Sequence, residues 1–165
     1  MNDSLFQEIH QEVNGYAICM KGGKIGYLNT HGKQVISNQF EEYIDYDLLG
    51  NFNKGGAVAL KDKKYGVIDT LGRFLLKPKY DHIKSFGSSY AIQKKDRWAI
   101  MDSVFKMISD YDFEGFDLIN KRYILFRQNG KVGLMDLNLN VIIDALYTSI
   151  MQQDHFFIVR SESGN

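Results

Sequence analysis

The stretch Lys64-Tyr65-Gly66-Val67-Ile68-Asp69, followed by a Gly at 72 and then Lys77-Pro78-Lys79-Tyr80-Asp81, decides the fold. It reads as a strand, a turn and a second strand: apolar β-formers bounded by an Asp and a Gly, which open and close a chain reversal. The same order returns three times. Lys24-Ile25-Gly26-Tyr27-Leu28-Asn29, Arg97-Trp98-Ala99-Ile100-Met101-Asp102 and Lys131-Val132-Gly133-Leu134-Met135-Asp136 all run base, apolar, small, apolar, apolar, Asp or Asn. Fourteen residues after each small residue stands an aromatic, Phe40, Tyr80, Phe113 or Tyr147, and three beyond it Tyr43, Ile83, Phe116 or Ile150. Nine residues after the small position sits an aliphatic, Val35, Leu75, Ile108 or Ile142, within a short apolar run. Ten residues after the aromatic another run begins, as in Tyr90-Ala91-Ile92, Tyr123-Ile124-Leu125 and Phe157-Ile158-Val159.

A fixed period of this length is the mark of a repeat architecture. The expected organisation is a single repeat domain over 1–165: an N-terminal half unit at 1–23, units at 24–63, 64–96, 97–130 and 131–160, and a tail at 161–165. Phe6, Ile9 and Tyr16-Ala17-Ile18 place the half unit on the same ruler. The fold class is all-β, with about three short antiparallel strands per unit, stacked or spiralling; a small propeller-like arrangement is the alternative. Helix content is expected to be low. Pro78, the only proline, suits a sheet edge. Units three and four carry Phe105 and Leu139 where the first two have a turn Gly, so their turns are expected to be less regular, with Asn138 or Asn140 supplying a left-handed residue in the last.

These residues resemble the WG-repeat (KWG-repeat) family, whose unit runs Lys-Trp-Gly-Tyr-Ile-Asp, a Gly turn, then Val-Ile-x-Pro-x-Tyr-Asp. The resemblance spans about 5–160. Trp survives only as Trp98, and Ala99 replaces the Gly after it. It implies a β-repeat scaffold. Short free-standing bacterial members look like immunity proteins, cytosolic inhibitors of a toxin domain from a contact-dependent growth inhibition type system.

Composition agrees with an ordinary globular chain: 165 residues, 44% hydrophobic, 24% charged, formal net charge zero. The charge is uneven, −3 over 1–60, +6 over 61–100 and −3 over 101–165. The basic middle raises an RNA- or anionic-ligand-binding module through 61–97 as an alternative function, although nucleic acid is the less expected partner; a structural or assembly domain is a third. One cysteine, Cys19, allows no internal disulfide, and no apolar run is long enough to span a bilayer, so the expected location is the cytosol, without membrane partners. No CxxC, HExxH, GxSxG, GxxxxGK[ST] or GxGxxG occurs, and the four histidines fall at unrelated repeat positions. No enzymatic activity, cofactor or metal is therefore expected.

The expected function is protein binding, with a toxin domain, plausibly a nuclease, as partner and a monomer or a 1:1 heterocomplex as the state. Two acidic clusters interleaved with aromatics are the candidate surface: Glu41, Glu42, Asp45, Tyr46 and Asp47, and Asp110, Asp112, Glu114 and Asp117. The first overlaps an insertion at 44–53, about seven residues that break the repeat spacing. Its Leu48, Leu49 and Phe52 either cap the first unit's core or belong to a binding loop.

Overall fold

The computed structural model describes residues 6–42, 52, 56–86, 88–120 and 122–162. It consists of strands and turns, with no helix among the described residues. The strands are β1 (Glu8–Ile9), β2 (Tyr16–Lys21), β3 (Lys24–Asn29), β4 (Gln34–Glu41), β5 (Ala57–Lys61), β6 (Lys64–Ile68), β7 (Phe74–Tyr80), β8 (His82–Phe86), β9 (Ser89–Lys94), β10 (Arg97–Met101), β11 (Gly115–Ile119), β12 (Tyr123–Gln128), β13 (Lys131–Asp136), β14 (Val141–Tyr147), β15 (Ser149–Gln153) and β16 (Phe156–Arg160). They pack as two compact units, one up to Ser85 and one from Phe86.

In the first compact unit β1 to β7 follow one another in a seven-stranded antiparallel sheet, but β4 and β5 share only the bridge Glu41↔Leu60, so the sheet is two groups, β1–β4 and β5–β7. In the second, β9 pairs with β10, β11–β14 form a four-stranded sheet, and β15 pairs with β16. Beyond the three strands expected per repeat, the aromatic-plus-three residue carries a strand of its own in β8, β11 and β15. The aromatic ruler marks the core, for Phe40, Tyr80, Ile83, Phe116 and Ile150 are all buried.

Each second strand ends in an Asx residue whose side chain governs the reversal. Oδ1 of Asn29, Asp69, Asp102 or Asp136 accepts the amide hydrogens of the residues two and four further on, at 2.8–3.0 Å, in all four repeats. The backbone carbonyl of the same residue accepts from the amide three on, and that residue is left-handed: Gly32 (φ 70°), Gly72 (φ 77°), Phe105 (φ 63°) and Leu139 (φ 69°). The expectation of irregular later turns is thus corrected. The left-handed residue of the last turn is Leu139, not Asn138 or Asn140. A left-handed non-glycine costs about 1–2 kcal/mol, which the doubly bonded Asx oxygen offsets, together with packing of Phe105 on Tyr90 and of Leu139 on the core around Trp98.

After the turn, the third strand returns over the small residue. Ile25 pairs with Phe40 and Tyr27 with Ile36, so one residue, Gly26, faces three; Gly66 and Gly133 face three in the same way. This bulge presses the backbone onto the glycine. A Cβ on Gly66 would lie 2.5 Å from the Leu76 oxygen and 2.9 Å from the Pro78 nitrogen, and one on Gly26 2.6 Å from the Ile36 oxygen. Pro78 sits inside such a bulge on β7, the last strand of its sheet, where its missing N–H leaves no ladder bond unmade. Where the small residue is Ala99 the returning chain makes no strand, only the isolated bridges Met101↔Met107 and Trp98↔Phe113.

Two outcomes follow. Gly66→Ala must move backbone rather than a flexible side chain, so a loss of about 2 kcal/mol or more is expected in urea unfolding, whereas Ala99→Gly costs about 1 kcal/mol or less. The turns also respond to acid. Asp69 is held below its ordinary value of 3.8 chiefly by the Arg73 amide, and Asp136 chiefly by the Asn140 side chain and amide. A carboxyl lowered in the folded state contributes stability above its unfolded value, and that contribution is lost as pH falls below about 4. Asn29 shows that an amide oxygen makes the same turn. Asp69→Asn with Asp136→Asn is therefore expected to preserve neutral-pH melting while flattening its acid limb, and the corresponding Ala variants to melt lower at every pH.

Candidate protein-binding surface

The two acidic clusters lie in different compact units and are built differently. Glu41, at the end of β4, accepts hydrogen bonds from the Asp62 and Lys63 amides at 2.9 and 3.2 Å and lies 3.9 Å from the Lys24 ammonium. Glu114 stands at the same place, one residue after the repeat aromatic, and accepts from the Gly130 amide at 3.1 Å while Arg97 approaches to 3.4 Å. Both glutamates thus clasp the turn of the next hairpin, satisfying amides that would otherwise need water. Glu42 is exposed. Asp45, Tyr46 and Asp47 lie outside the described residues, as do Tyr43, Leu48 and Leu49. Phe52 is buried, with its ring 4.6 Å from Tyr16 and 5.0 Å from Tyr27 and its carbonyl accepting from Asn14 Nδ2 at 2.6 Å. At this residue the insertion does cap the first repeat's core.

In the second cluster Asp110, Asp112 and Glu114 are exposed while Phe113 between them turns inward, 4.8 Å from Phe116 and 5.7 Å from Phe126. Asp117 on β11 is bound by Arg127 at 2.7 Å. Just upstream, Val104, Met107 and Ile108 are exposed. The segment that fails to form a third strand in repeat three thus presents aliphatics and then carboxylates in one run. Among the described residues no three His, Cys, Asp or Glu side chains converge as a metal site.

The basic segment is partly engaged. Lys64 pairs with Asp81, Arg73 with Asp69 at 2.7 Å and Arg97 with Glu114. Cys19 is fully buried; desolvation raises its thiol pKa, so it is a core residue rather than a nucleophile.

Spacing alone does not say which way the aliphatic nine residues after the small position faces. Val35, Leu75, Ile108 and Ile142, nine after the small position, are exposed, and the residue after each faces inward or bonds the preceding strand: Ile36 and Leu76 are buried, and the Ser109 hydroxyl accepts from the Ile100 amide at 2.9 Å. In β4, β7 and β14 the cause is a second register shift, with one extra residue between Gln34 and Ile36, Phe74 and Leu76, or Val141 and Ile143, which turns the aliphatic outward. A spacing of ten rather than nine is the signal that locates the core residue.

No curated protein matches the chain by sequence. Among solved structures the chain is similar to the N-terminal domain of Nup159 (TM-score 0.51, 11% identity, covering 95% of this chain and 45% of that one). It is also similar to Kluyveromyces lactis Hsv2 (0.46, 9%, 92% and 47%) and to the Neurospora crassa Pan2 WD40 domain (0.42, 14%, 96% and 59%). The chain spans about half the length of the first two, and at such identity the likeness to the Nup159 domain is one of fold alone. The profile of the family described as a WG containing repeat matches residues 25–65 and 65–97. Over residues 25–97 the chain is therefore shown by sequence to be similar to the WG-repeat family, and the glycine beneath a bulged third strand is the physical content of that match.

Proposed function

We propose that the chain is a non-enzymatic, cytosolic protein-binding module of the immunity kind, which blocks a toxin domain with a basic, RNA-cleaving active site. The observation that carries this reading is the run 104–114. Exposed Val104, Met107 and Ile108 adjoin Asp110 and Asp112 on a segment that runs beside β10 without forming a regular strand. Aliphatic contacts beside charge suit a protein partner, and exposed carboxylates suit a basic one. Exposed aliphatics at the second register shift of β4, β7 and β14 support protein binding more generally. An anionic-ligand role for 61–97 has less support, because Lys64, Arg73 and Arg97 already take carboxylate partners.

The experiment is calorimetry against the toxin domain encoded beside this gene. Asp110→Lys with Asp112→Lys is expected to weaken binding about thirtyfold, or about 2 kcal/mol, with unchanged melting temperature. An unchanged affinity removes 104–114 as the interface. Steeply salt-dependent RNA binding by the chain itself would replace the protein-partner reading with the anionic-ligand one.

A further inference from the structure

Two Asn-Gly pairs stand at two-residue reversals. In Asn14-Gly15 the φ angles are 53° and 87°, and the flanking Val13 and Tyr16 exchange both backbone hydrogen bonds, at 2.9 and 3.2 Å. In Asn129-Gly130, between β12 and β13, they are 53° and 71°, and Gln128 lies opposite Lys131. Positive φ at both central residues marks the type I′ turn, which favours Asn-Gly. The ladder bonds of such a turn belong to its flanking residues, so the glycine amide must find an acceptor elsewhere.

The two turns meet that demand differently. The Gly130 amide donates to both oxygens of Glu114, at 3.2 and 3.1 Å, and Arg97 approaches the same carboxylate to 3.4 Å. The Gly15 amide has no acceptor among the described residues; there it is the Asn side chain that is held, Asn14 Nδ2 donating to the Phe52 carbonyl at 2.6 Å. Asn129 and Gly130 are both exposed. Asn-Gly is also a reactive pair. The glycine nitrogen, once it gives up its proton, attacks Cγ of the preceding Asn; the Cγ–Nδ2 bond breaks, ammonia leaves and a succinimide ring forms. Water then opens the ring to Asp or to isoaspartate. Glycine favours the attack because it carries no Cβ to obstruct the approach.

We propose that Asn129-Gly130 is a site of spontaneous deamidation and that Glu114 is its latch. The nitrogen that must attack is the one whose hydrogen the Glu114 carboxylate holds. Loss of that proton is opposed twice: the hydrogen bond is charge-assisted, and a negative nitrogen would face a negative oxygen. The water that opens the ring has access, since the turn is exposed. The modification changes the surface around it. Asp or isoaspartate at position 129 sets a new carboxylate on the turn that Glu114 clasps, and like charges repel. Isoaspartate also adds a methylene to the backbone of a two-residue reversal, where turn length fixes the register that starts at Gln128↔Lys131.

The experiment incubates the 165-residue protein at mildly alkaline pH and follows both Asn-Gly pairs by peptide mapping and mass spectrometry, with Asn14 as the clock within the same molecule. Glu114→Ala is expected to raise the rate at Asn129, relative to Asn14, roughly tenfold or more. Glu114→Gln is expected to keep most of the protection, because an amide oxygen holds a turn amide elsewhere in the chain, Gln7 Oε1 accepting from Gly22 at 2.8 Å. Asp117→Ala removes the 2.7 Å pair with Arg127 on β12 without touching the Gly130 amide, and is expected to leave the Asn129 rate unchanged. An Asn129 rate indifferent to Glu114→Ala, or raised as much by Asp117→Ala, overturns the proposal.

Discussion

A single side-chain oxygen, on Asn29, Asp69, Asp102 or Asp136, holds two backbone amides at the end of each second strand, and the rest of the repeat follows from where it sends the chain. With two amides fixed, the reversal closes the same way whether the left-handed residue is Gly32, Gly72, Phe105 or Leu139. The returning strand then leaves the turn with an extra residue, Val35, Leu75 or Ile142, turned to solvent. It next bulges over Gly26, Gly66 or Gly133 and delivers Phe40, Tyr80 or Tyr147 opposite the residue before that glycine. The fourteen-residue spacing is the length of chain this path requires.

Repeat three shows which part of the device is indispensable. Its Asx turn is intact, yet Ala99 stands where the bulge needs a bare Cα, and the return dissolves into two isolated bridges. The aromatic still arrives, since Phe113 packs on Phe116 and Phe126, so the core closes without the third strand. What changes is the outer surface. The Ser109 hydroxyl takes the Ile100 amide, the Ile108 amide still bonds the Ile100 carbonyl, and Asp110 and Asp112 are left facing water.

Much of this was legible in the residues because periodic spacing reports geometry directly. The aromatics, the partners Ile83, Phe116 and Ile150 three residues on, and the Asx-terminated strands landed where the ruler put them, with Tyr43 outside the described residues. The misreadings share one physical origin: a pattern of residue types does not encode register. Which way Val35, Leu75, Ile108 and Ile142 face is not legible from the spacing, and in the regular third strands a one-residue slip turns that position outward. Glu41 and Glu114 look like free surface charge, but backbone amides from a turn sixteen or more residues away claim them. Leu139 looks unfit for a left-handed position, and only the two hydrogen bonds on Asp136 explain why it serves. Residues 43–51, which carry half of the first acidic cluster, lie outside the described residues.

The repeat also meets its polar demands internally. Asx oxygens serve the turn that follows them, and the glutamates after Phe40 and Phe113 serve the next hairpin, so few buried donors depend on a neighbouring sheet. What one repeat asks of the next is chiefly apolar cover, as Val132 and Leu134 receive from Ile150 and the half-buried Phe157. Burying one such side chain contributes roughly 1.5–3 kcal/mol with little directional constraint, so sheets differing in register and strand number can still succeed one another.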